Sequence, residues 1–126
     1  MKVVFFSESG IVGKVDRNFP NARNDIAWSI MMNADWCPYG KTPTEKYDLG
    51  VVTIPKTKPN LDVDWFKQYC DKIAIMQEGP HWYFQDYSVE QQFQFVENLR
   101  KADWVWCHNQ SDVSYYEGLG CEDVRV

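Results

Sequence analysis

The chain predicts a Rossmann-like, three-layer α/β domain: an open parallel sheet of about five strands with helices on both faces. Short apolar, β-branched and aromatic runs recur without alternation, as in strands covered on both sides. The segments between them carry helical spacing and capping residues. Each run also ends in a polar turn, several of them glycine-bearing, of the kind that α/β proteins use to hold ligands.

Lys2 to Ser7 (KVVFFS) is the first such run. A helix is expected over Asp25 to Asn33 with Asn24 as its N-cap, followed by a second strand over Leu49 to Ile54. Asp62 to Cys70 reads as a helix capped by Asp62, and Lys72 to Gln77 as the third strand. The clearest helix is Val89 to Lys101, where Ser88 and Gln91 form a capping box. Val89, Phe93, Val96 and Leu99 recur there at four, three and three residues, which predicts that they line its buried face. Trp104 to His108 is the fourth strand. A short helix over Asp112 to Glu117 follows, capped by Ser111 and ended by Gly118 or Gly120, and Asp123 to Val126 begins a fifth run. The strand orders 3-2-1-4-5 and 2-1-3-4-5 both fit, and both put the first strand beside the switch point.

With 126 residues, the chain has room for one domain and a real core; 44% hydrophobic and 16% aromatic residues separate it from disordered sequences. A net charge of -5 with scattered Lys and Arg gives no direct nucleic-acid signal and no reason to bind an anionic membrane. No stretch approaches the roughly 20 apolar residues of a membrane span, and Met1 leads straight into the first strand without a signal peptide, so a cytoplasmic location is expected. Cys37, Cys70, Cys107 and Cys121 are widely separated and read as buried thiols. His81 and His108 lack metal-ligand spacing, and carboxylates cluster nowhere as in a calcium loop, so no metal is assigned.

Three turns carry the candidate chemistry. In Ser7-Glu8-Ser9-Gly10-Ile11-Val12-Gly13-Lys14, Gly10 and Gly13 allow close backbone approach to a ligand, but neither dinucleotide nor P-loop spacing is present. The polar stretch that follows offers Arg17 and Arg23 as a clamp for a carboxylate or phosphate. Gln77 to Tyr87 gathers four aromatics with Glu78 and His81, a composition suited to a sugar or base, with either residue placed to act as a general base. His108 to Asp112 joins a strand to a helix start, where Asn109 lies beside free amides; Ser111 alone also satisfies such a turn.

At these turns the chain resembles the N-terminal domain of two-Rossmann-domain (GT-B) glycosyltransferases, especially glycosyltransferase-like proteins of phage and marine microbial sequences. The resemblance lies in FSESGIVGKVDRNFPNARNDIAW (Phe6 to Trp28), YDLGVVTIP (Tyr47 to Pro55), CDKIAIMQEGPHWYFQDYSVEQQF (Cys70 to Phe93) and ADWVWCHNQSDVSYYEGLGCEDVRV (Ala102 to Val126). It implies the acceptor-side half of a longer two-domain protein that moves a sugar from a nucleotide-sugar donor to an acceptor hydroxyl. Gly10, Gly13, Arg17, Arg23, Glu78, His81 and Asn109 would face the interdomain cleft. The donor itself would belong to a C-terminal domain that these residues do not include, so the chain alone is expected to be inactive and to hold no cofactor. Two alternatives stand beside it. One is a flavodoxin-like flavin or nucleotide binding module, suggested by the hydroxyl-rich turn at Ser7-Glu8-Ser9-Gly10; the other is a noncatalytic α/β scaffold.

Overall fold

The computed structural model describes residues 1–8, 13–14, 24–54, 61–77, 85–107, 110–121 and 123–126. These build a seven-stranded, mostly parallel open sheet. In chain order the strands are β1 (Val3–Ser7), β2 (Gly13–Lys14), β3 (Asp35–Pro38), β4 (Tyr47–Ile54), β5 (Cys70–Gln77), β6 (Trp104–Trp106) and β7 (Val124–Arg125). The helices are α1 (Asn24–Met31), α2 (Val63–Phe66), α3 (Val89–Lys101) and α4 (Val113–Gly118).

The spatial order is β2-β3-β1-β4-β5-β6-β7, parallel throughout except for β2 against β3. Counting the six parallel strands alone gives 2-1-3-4-5-6; the five strands expected from sequence lie in the plain order 1-2-3-4-5, which is neither of the two expected orders, because the unforeseen β3 takes the place beyond β1. The chain leaves β1 toward β3 and returns over it to β4, so the topological switch lies between β1 and β4.

Alternation along the strands produces two apolar faces. Val4, Phe6, Val52, Ile54, Ile73, Ile75 and Val105 form one with Val63 and Phe66 of α2, Phe95 and Leu99 of α3, and Tyr116 of α4. Val3, Phe5, Leu49, Val51 and Ala74 form the other with Ile26 of α1, flanked by Trp28, Trp104 and Trp106. Burial of each large apolar side chain contributes about 1.5–3 kcal/mol, so this two-sided core dominates the fold's stability. Cys37, Cys70, Cys107 and Cys121 are buried free thiols. Burial pushes Cys70 up to about 12 and Cys121 up to about 11.

Several expectations need correction. β3 lies in a segment with no strand signal, because Asp35 and Pro38 are poor strand formers; pairing with β1 overrides that preference. α2 is one turn long rather than reaching Cys70, since Cys70 is recruited into β5 opposite Tyr47. Ser111 lies within a 3₁₀ turn, Gln110–Asp112, and the N-cap of α4 is Asp112, without a side-chain cap. Asn24 is the first residue of α1 rather than its cap. On α3 the capping box of Ser88 and Gln91 is present, but the buried residues are Phe95, Asn98 and Leu99. Val89 and Phe93 are exposed.

Lys14 ties the edge strand down: its ammonium lies 3.1 Å from Asp35 and donates to the carbonyl of Asn33 at 2.5 Å. The Tyr47 hydroxyl donates to the other Asp35 oxygen at 2.6 Å. Burial raises the Asp35 pKa, but the hydrogen bonds from Tyr47 and Lys14 and the nearby Lys14 and Lys2 charges hold it, on balance, below the usual carboxylate range. A lowered folded-state pKa means that the stabilisation is present above the unfolded value, near 3.9, and is lost as pH falls through the folded one. Acid titration of Asp35→Asn is therefore expected to show a shallower loss of stability below about pH 4 than the parent chain. Identical acid limbs in denaturant melts of the two proteins would contradict the assignment.

Candidate functional site

All parallel strands deliver their carboxyl ends to one edge of the sheet. β1, β4, β5 and β6 end there at Ser7, Ile54, Gln77 and Trp106. Segments that follow these strands carry the residues singled out by sequence. Gly10, Arg17, Arg23, Glu78, His81 and Asn109 lie outside the described residues. Gly13 is described: it sits in edge strand β2 opposite Trp36 with φ 120°, a left-handed conformation that favours glycine.

Among the described residues this edge contains a cleft of about 460 Å³ on the face of α2–α4. Its floor is the aromatic cluster of Phe6 and Phe66, whose ring centroids are 4.6 Å apart. Trp65 forms a wall, 5.1 Å from Phe66 and 6.5 Å from Phe6 in edge-on geometry. The far side is the connection from β3 to β4, residues 39–46, which crosses β1 without a helix. From it Tyr39, Gly40, Lys41 and Thr42 line the cleft, and Asp62 at the start of α2 closes the rim.

Local hydrogen bonds hold these walls in place. The Tyr39 amide donates to the Ser7 carbonyl at 2.8 Å. Its hydroxyl is shared between the carbonyls of Thr53 and of Phe6, the latter at 3.2 Å, so the crossing segment is pinned to the ends of β1 and β4. Asp62 caps α2 by accepting from the Asp64 amide at 3.0 Å. Asn98, fully buried in α3, donates to the Leu61 carbonyl and accepts from the Val63 amide at 3.2 Å. This satisfies a helix-start amide that has no intrahelical partner.

The opposite face has its own polar feature. Ser7 and Thr53 follow the paired residues Phe6 and Val52 at the switch point, and both are buried. The Thr53 hydroxyl has no hydrogen-bond partner among the described residues, which is unusual for a buried polar atom.

No protein-family profile, curated protein or solved structure matches the chain. An indole face beside a cation, a hydroxyl and a carboxylate can stack on an apolar C–H surface while bonding to hydroxyls around it. Trp65, Lys41 and Thr42 carry no motif, which explains why sequence reasoning missed them.

No helix of the described residues is long and apolar enough to cross a membrane.

Proposed function

We propose that the chain is the acceptor-binding half of a glycosyltransferase, moving a sugar from a nucleotide-sugar donor to an acceptor hydroxyl, with the donor held by a further domain. The observation that carries this reading is the carboxyl-edge cleft, which the aromatic Trp65 lines together with the polar Lys41, Thr42 and Asp62. The segment resemblance to GT-B N-terminal domains supports it. In the transfer, the acceptor oxygen bonds to the anomeric carbon as the bond to the nucleotide diphosphate breaks. In this reading Glu78 or His81 takes the acceptor proton, and Gly10, Gly13, Arg17, Arg23 and Asn109 are the substrate-binding residues that the resemblance implies. Preorganised positive charge and helix amides stabilise the diphosphate leaving group.

Isothermal titration of the chain with a panel of mono- and oligosaccharides tests the acceptor site. At least one is expected to bind, and Trp65→Ala to weaken it about tenfold, the scale of one lost stacking contact. Absence of any binding at millimolar saccharide, or binding indifferent to Trp65, overturns the reading.

The second reading, a flavin or nucleotide binding module, is favoured by the order of the six parallel strands, 2-1-3-4-5-6 with β3 counted, and by the Ser7 and Thr53 hydroxyls at the switch point. Flavin absorbance in the purified protein, or flavin binding abolished by Thr53→Val, would support it over saccharide binding.

A further inference from the structure

α3 has two apolar faces, and the fold uses one. Phe95 and Leu99 enter the core, whereas Val89 and Phe93, one turn apart on the other side, remain 69% and 70% exposed. Val96 continues this second stripe at helical spacing and is half-buried. Val89 and Phe93 are two large apolar groups left open on consecutive turns of one helix, more than the single scattered apolar residue that ordinary surface carries.

The charges along the same helix select the occupant. Glu90 lies in the first turn, and Arg100 and Lys101 lie in the last. The Lys101 ammonium is engaged by Asp64 at 3.0 Å, while Arg100, whose Nε donates to the Leu119 carbonyl at 3.0 Å, keeps its charge at the exposed end of the helix. Glu97 is the one further charge between these ends, so α3 is acidic up to Glu97 and basic at Arg100 and Lys101, and its Glu90 and Arg100 ends are complementary when one copy is turned end for end. In that arrangement Glu90 of each copy meets Arg100 of the other, twice, around a two-fold axis near the helix centre.

We infer that the exposed face of α3 is the contact of a symmetric homodimer, with the two α3 helices packed antiparallel through Val89, Phe93 and Val96. The helix is about 20 Å long, so the contact belongs to the small interface class, below about 1,200 Å² in total, and the dimer is weak, with dissociation on the order of 10–100 μM. α3 spans the same face of the sheet as the cleft without lining it, so dimerisation leaves the proposed acceptor site open.

Sedimentation equilibrium of the 126-residue chain over a concentration series, with circular dichroism melts of every variant, tests the inference. The parent chain is expected to approach twice the monomer mass at several hundred micromolar. Phe93→Glu, which changes an exposed side chain, is expected to keep the parent melt and remain monomeric. Glu90→Lys and Arg100→Glu are each expected to lose self-association, because each homodimer then sets like charges together. An equal mixture of these two variants is expected to regain dimers, since both cross-pairs become attractive. A parent chain monomeric throughout, a dimer indifferent to Phe93→Glu, or a mixture that stays monomeric while both components melt normally overturns the inference. These outcomes are read from mass alone and are independent of saccharide or flavin binding.

Discussion

Gly50→Ala is expected to lower stability by about 1–3 kcal/mol, despite being the smallest possible addition to the chain, because the site is closed on three sides. Gly50 sits mid-strand in β4, paired with Val4 of β1 and Ile73 of β5. An added Cβ would lie 2.6 Å from the Cys70 sulfur and 3.2 Å from both Ile73 Cδ1 and Phe6 Cε2. All three neighbours are buried, and β4 is held by parallel ladders on both sides, so neither wall nor floor retreats freely. Against a typical total of about 5–15 kcal/mol this is a large fraction, and a fall in Tm on the order of 5–15 °C is expected by calorimetry. The cause is separable from a general intolerance of substitution. Adding Cys70→Ala to Gly50→Ala removes the nearest clash, so the double variant is expected to lose less than the sum of the single losses. Strict additivity would show that the sulfur is not what resists the methyl group. Because Phe6 also floors the cleft, Gly50→Ala is expected to weaken saccharide binding along with stability.

The contrast between Gly50 and its surroundings illustrates how much of this molecule could be read in advance. β1, β4 and β5 are legible as unalternating apolar runs, since central parallel strands are buried on both sides. The start of α3 is legible because a capping box is local chemistry. Its buried face is legible only at Leu99: of the expected stripe Val89-Phe93-Val96-Leu99 that residue is buried, but Phe95 shares the core with it while Val89 and Phe93 are exposed, because both sets satisfy helical spacing. Nothing local tells the helix which stripe the sheet will take. The choice is tertiary, and it places a polar residue, Asn98, at the centre of the buried face. β3 escaped for the opposite reason: Asp35-Trp36-Cys37-Pro38 has weak strand character and is held by its neighbour β1 and by the Tyr47 and Lys14 contacts to Asp35. The candidate glycines and charged residues of the turns stand out in the sequence by type, and all but Gly13 lie outside the described residues. The cleft does not stand out, since Trp65 from α2 meets Lys41 and Thr42 only after the helix-free crossing over β1 brings distant segments to one edge.

Asn98 supplies the second large expected effect, and with it a test of whether the cleft depends on a polar staple or merely on packing. Removing its side chain deprives the Val63 amide and the Leu61 carbonyl of a common partner in a buried setting. Orphaning the buried Val63 amide costs about 1–3 kcal/mol, and the Leu61 carbonyl keeps only the longer bond from Gln94, so Asn98→Ala is expected to lose about 2–4 kcal/mol. Volume is the obvious competing explanation, and Asn98→Leu addresses it by filling the space without restoring a donor or acceptor. If hydrogen bonding controls the site, the leucine variant is destabilised about as much as the alanine variant in urea melts; near-parental stability of Asn98→Leu would assign the loss to a cavity instead. The staple acts on the segment that begins α2, and that segment carries both Asp62 and Trp65. Releasing it is therefore expected to weaken saccharide binding at temperatures well below the melt, where the chain is still folded. Gln94, whose amide donates to Asn98 Oδ1 at 3.2 Å and to the Leu61 carbonyl at 3.4 Å, orients the same group from one turn earlier. Gln94→Ala leaves the primary bonds of Asn98 intact, so a smaller loss, about 0.5–1.5 kcal/mol, is expected there. About equal losses for Asn98→Ala and Asn98→Leu, with a smaller one for Gln94→Ala, in both melting and binding, are what a polar staple between α3 and the cleft requires.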